Sequence, residues 1–343
     1  MITIGAPRLA AIALVVAACG QSTASPVAVT PSPATPTAHA PSVAPASIAP
    51  AASSVPTLPD PVKRISLPGS APAAMAVAQE GVWVYSIESG DVTLVDPTAG
   101  TVDATVHVGG FGSHIVLGSD RQLYIARFET GGSGSYLLRI NQASGKLTDG
   151  PTTALGALTA ADGYLYALEK ADRVVRIDEA TLREVASTVV DVDDEHMEVV
   201  IADGAAWVSS DHTPLRRLSL PDLTVTDTLD VGGGIPFVAA DGLVWGARPG
   251  TLWILDPATK AITREIPLPG VEEILGMDID PTLAEAWLAV RMTGRVGAVI
   301  VVDIEHGAIV ATSSVSLPAA VKLAGEVAYV ASYLDNELLV YRR

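Results

Sequence analysis

Cysteine occurs once in the 343 residues, at position 19, so no disulfide framework can form within the chain. Phenylalanine occurs only three times, and aromatic residues together make up 5%. Basic residues are outnumbered: 21 Lys and Arg stand against 38 Asp and Glu, a formal charge of −17. Binding to a phosphate backbone draws on counterion release by a basic face, so this balance excludes a nucleic-acid binder. No long segment carries a helical period. The uncharged apolar run Leu9–Ala18 has ten residues, about half of what a helix needs to cross a bilayer core. What is present in quantity is apolar material, 49% of the chain, ample for a large core.

Arg8 is the one charge before that run, which ends Val16-Ala17-Ala18-Cys19. A basic start, a short apolar centre and small residues at the end have the shape of a secretory signal over residues 1–18. With its Cys, the ending resembles the lipobox of bacterial lipoproteins. That resemblance implies lipidation at Cys19 and a chain held extracytoplasmically on a bacterial membrane without spanning it. An ordinary signal peptide with an incidental Cys is the other reading. Residues 19–60 then read as a disordered stalk rich in Pro, Ala, Ser and Thr. Nine of the 40 residues from 21 to 60 are Pro, Asp60 is their only charge, and none is aromatic. Such a stretch buries too little to offset chain ordering, and its prolines favour extended conformations. His39 within it is read as solvated.

Residues 61–343 repeat. An aromatic recurs in an apolar run at Trp83, Tyr124, Tyr166, Trp207, Trp245, Trp287 and Tyr329, at steps of 41, 42, 41, 38, 42 and 42. A turn precedes it, written Asp162-Gly163, Asp203-Gly204 or Asp241-Gly242, with Glu80-Gly81 and Ala324-Gly325 as variants. A second turn follows: Val95-Asp-Pro-Thr-Ala-Gly100, Ile177-Asp-Glu-Ala-Thr181, Leu255-Asp-Pro-Ala-Thr-Lys260 and Val302-Asp-Ile-Glu-His-Gly307. Each unit is thus four strands in about 40 residues, the signature of a propeller blade. The last unit stops after three strands at Arg343. Arg64-Ile-Ser-Leu-Pro-Gly69 resembles Arg264-Glu-Ile-Pro-Leu-Pro-Gly270, a fourth strand. The expectation is an all-β, seven-bladed β-propeller whose last blade is closed by residues 62–67.

The turns at 95–100 and 302–307 resemble those of the YVTN-like bacterial propeller repeat family, a resemblance that implies the fold and leaves the activity open. A more distant likeness, to seven-bladed streptogramin-B lyases, lacks that group's recurring strands here and transfers no catalytic residue.

Chemistry is expected on the face that carries the links between blades and the second-to-third-strand loops. His114, His196 and the pair Glu272/Glu273 stand where inner strands begin. If they converge on the channel mouth, His nitrogen and carboxylate oxygen are suitable ligands for a divalent metal; otherwise they are solvated loop residues. Asp191-Val-Asp-Asp-Glu-His-Met-Glu198 is the densest acidic run. It lacks the glycine of an EF-hand loop, which leaves Asp193, Asp194, Glu195 and His196 as a weak cation site or a solvated loop. Arg127, Arg248 and Arg291 follow their aromatic by three or four residues. They either grip a carboxylate or phosphate at one rim or pair with Glu129, Glu272 and Glu273 as structural bridges. No nucleophile motif is present, and the glycine runs open no helix. The turn acids Asp96, Asp178, Asp256 and Asp303 read as structural. Together these features suggest a monomeric, lipid-anchored binding propeller without catalysis or resident cofactor, its partner a protein or small ligand. The alternative is a metal-assisted lyase or hydrolase using the His/Glu set.

Overall fold

Two periodicities set the architecture: alternating residues within each strand, and the repeat of about 40 residues that returns the chain to the same place in the next sheet. The computed structural model describes residues 55–343, except 129–134, 153–154, 170–172, 191–196, 211–212, 233–234 and 236. These residues form seven four-stranded antiparallel sheets, the blades of a propeller, and no helix is found among them. Blade one runs Pro72–Ala78, Gly81–Ser86, Asp91–Asp96 and Thr101–His107 from the innermost strand outward. Blades two to six repeat that order.

Blade seven takes Pro318–Ala324, Val327–Ser332 and Glu337–Arg342 from the end of the chain and Lys63–Ser66 from its beginning. Arg64 faces Leu339 and Ile65 faces Leu338 across the closing ladder. The expected closure at 62–67 is thus present, one residue shorter at each end. Packing also begins earlier than composition suggests. Leu58 donates its N–H to the Thr312 carbonyl at 2.7 Å, Thr312 donates to the Pro56 carbonyl at 3.1 Å, and Leu58 is buried between blades six and seven. The residues just before the closing strand therefore lie parallel to the outer strand of blade six, Ala308–Ser314.

The turns use the chemistry their residues offer. Asp203 and Gly204 lie at φ 48° and 64°, and Asp241 and Gly242 at 51° and 72°, both positive as a two-residue hairpin of this kind requires. At the outer turns Asp96 accepts from the N–H groups of Thr98 and Ala99 at 2.7 and 2.9 Å, and Asp303 accepts from His306 at 2.8 Å. Carboxylates held this way ionise more readily, so Asp178, Asp256 and Asp303 sit below their usual range.

The core is seven apolar clusters, each holding one recurring aromatic and lying between two neighbouring blades; the cluster of Met75, Val84, Tyr329 and Leu338 joins blade seven to blade one. Val or Leu follows the outer strand at Leu67, Val108, Val190, Val231, Leu268 and Val315, all buried. At the last residue, the Arg343 guanidinium is 1% exposed and meets Asp280 at 2.9 Å and Glu285 at 3.1 Å, tying blade seven to the first hairpin of blade six.

Candidate functional site

The inner strands of all seven blades line a central cavity of about 470 Å³, within the range of small-molecule sites. Cross-strand register orders what lines it. The residue facing the recurring aromatic is Ala or Val in blades one, two, four and five, and Thr159, Asp278 and Lys322 in blades three, six and seven. Two residues earlier, one pleat nearer the mouth, blades one, three, six and seven carry Ala74, Ala157, Gly276 and Ala320. Blades two and four carry His114 and Glu198 at that level. Small residues around the ring leave space, and the two large polar side chains occupy part of it.

His114 Nε2 lies 3.5 Å from Glu198 Oε2, with the side chains 20% and 24% exposed. The pair spans blade three, which offers only Ala157 at this level. Deeper, Asp278 accepts from the backbone N–H of Leu323 at 2.8 Å and of Ile279 at 3.2 Å. Its carboxylate thus stitches the inner strands of blades six and seven. Gly276 allows their close approach, because a Cβ there would stand 2.9 Å from the Ala319 carbonyl oxygen.

The other candidates from the sequence are placed differently. Glu272 is the exposed extra residue of a β-bulge, and Glu273 is paired with Arg291 across the hairpin. Neither lines the cavity. Arg127 donates to the Val108 carbonyl and stacks 5.2 Å from the Tyr136 ring. Arg248 donates to the Val231 carbonyl and to Glu265 at 2.6 Å. These arginines fasten the links that lead into their blades, as Ser332 does by donating to Ser316 at 3.2 Å. Of the bridges expected to Glu129, Glu272 and Glu273, Arg291–Glu273 is the one found among the described residues; Arg248 pairs with Glu265 instead. His196, Asp193, Asp194, Glu195, Glu129 and Cys19 lie outside the described residues. Among the described residues no three or more His, Cys, Asp or Glu side chains are grouped to hold a metal ion.

Glu198, Asp278, Lys322 and Thr159 carry no motif that marks them as site residues in the sequence. Their signal is positional: Glu198 and Asp278 stand nine residues before the aromatic of their blade, and Thr159 and Lys322 seven.

No family model matches the chain, and no curated protein does. The likeness to solved structures is one of fold. A chain of Kuenenia stuttgartiensis hydrazine synthase, a β-propeller, is similar over 81% of this chain and 97% of its own, with a TM-score of 0.65 and 14% identity. Chains matching in this way number 1406, a breadth that speaks for a common scaffold and for no single activity.

Proposed function

We propose that this chain is a non-catalytic binding propeller, exported and anchored by a lipid on Cys19, that takes a small polar ligand in the mouth of its central channel. The observation that carries the reading is the channel lining: a ring of small residues with His114 and Glu198 meeting across it. A cavity with apolar walls and a few fixed polar groups is how small-molecule sites are commonly built. In this reading the Pro-rich stretch after Cys19 serves as a stalk, and the likeness of the turns at 95–100 and 302–307 to the YVTN-like repeat supports a propeller of that kind.

Two experiments test this. A small-molecule screen by thermal shift should yield ligands that raise the Tm of the wild-type chain by mass action but not that of His114→Ala or Glu198→Ala. Ligands that act equally on all three would place binding elsewhere, and a screen without ligands would count against the channel as a site. For the anchor, metabolic labelling with an alkynyl fatty acid should tag the wild-type chain in a bacterial host and leave Cys19→Ser untagged; equal labelling, or none in either, would remove the lipid from the proposal.

A further inference from the structure

Four charged or ionisable side chains line the channel, and three have their polar atoms engaged. His114 and Glu198 face each other, and Asp278 accepts two backbone N–H groups. The fourth is Lys322, in the inner strand of blade seven, whose ammonium has no hydrogen-bond or ion-pair partner among the described residues. Thr159 stands at the same level in blade three, its hydroxyl likewise without a partner among them. The chain carries 38 acidic residues, yet none of those described pairs with this ammonium. A half-buried cation gains most from an anion that brings its own charge into the channel, since a charge-assisted hydrogen bond there is stronger than one in water.

The second level of polar groups fixes the other end. His114 and Glu198 stand two residues closer to the mouth, about 7 Å along the strand direction. A carboxylate, as acceptor, complements Glu198 poorly, whereas a hydroxyl or ammonium donates to it. Resting on the channel reading above, we propose that the ligand is a short carboxylate with a hydrogen-bond donor at its far end. Its carboxylate is received by Lys322 and Thr159, and its hydroxyl or amine by Glu198 and His114. A polyanion is disfavoured: the molecule carries a formal −17, and a second negative group at the far end would sit beside Glu198.

The test is a titration of the full-length protein, by calorimetry, with 4-hydroxybutyrate and 4-aminobutyrate. Their primary amides, which lack the negative charge, and butyrate, which lacks the distal donor, serve as comparisons. The two substituted carboxylates should bind at least about tenfold more tightly than any comparison compound, as expected for a hydrogen bond to a charged group. Lys322→Met should remove that preference and Lys322→Arg should keep it, with unchanged circular dichroism and Tm in the absence of ligand. Amides that bind as well as the acids, with binding lost in Glu198→Ala, would overturn the carboxylate assignment and leave the channel reading standing. Binding that persists in both Lys322→Met and Glu198→Ala would overturn the two together. If no probe binds, the carboxylate assignment falls, and the channel reading is decided by the screen above.

Discussion

Missing side chains decide the packing against two buried rings. A Cβ added to Gly246, in the second strand of blade five, would stand 1.9 Å from the buried indole of Trp253; one added to Gly112 would stand 1.8 Å from the ring of Tyr85. Both rings are fully buried, and burial pushes the Tyr85 hydroxyl up to about 12. Gly242 is different: nothing lies within 4 Å of its missing Cβ, but its φ is +72°. Gly246→Ala should therefore cost about 1–3 kcal/mol or more by overpacking, and Gly242→Ala about 1 kcal/mol by backbone strain. Urea midpoints of the two variants check this. A Gly246→Ala protein as stable as the wild type would mean that Trp253 does not pack where it is placed here.

At the scale of elements, the ends of the ring matter most. Lys63–Ser66 completes blade seven, and Lys63 also donates to the Pro97 carbonyl of blade one at 3.0 Å. Removal of residues 1–67 should leave the strand Glu337–Arg342 as an open edge and give aggregated protein by size exclusion. Among the described residues, removal of 1–59 takes away the buried Leu58 and the two backbone hydrogen bonds that Leu58 and Pro56 make with Thr312, and should lower the Tm by a few degrees, in line with ~2 kcal/mol for one peripheral Leu. A monomer of unchanged Tm after loss of 1–67 would contradict the closure. The closing strand was legible because its residues repeat those of another fourth strand. The contact at 56–58 was not: two hydrogen bonds and one leucine leave no mark in a Pro-rich stretch. Hairpin length hid part of the site in the same way. Blade two turns through the five residues Gly118–Gln122 where blade four uses two, and a bulge at Ser113 adds a residue to its inner strand. His114 therefore stands level with Glu198, whereas the sequence set it beside His196.

For the whole molecule, charge and closure act together. Asp178, held by Thr181, and Asp256, held by the Ala258 N–H, have folded pKa values below their unfolded ones, as does Asp303, held by the His306 N–H. Their contribution is complete above the unfolded value of about 3.9 and is lost as pH falls through the folded one. The Tm should accordingly drop steeply below about pH 4, and less steeply in a variant with all three replaced by Asn; equal slopes in a Tm-against-pH series would remove these turns as the cause. The fold was readable from spacing because every blade must bury its aromatic against the next. The site was only half readable, because facing residues come from different blades and the ring alone brings them together.

That meeting across the channel can be measured directly. In Glu198→His, two imidazoles would face each other from blades two and four, close enough to share a zinc ion. Zinc should raise the Tm of this variant above any effect on the wild type, and the gain should vanish when His114→Ala is added. A Tm that zinc leaves unchanged in Glu198→His, or raises equally with His114 removed, would contradict the pairing on which the site rests.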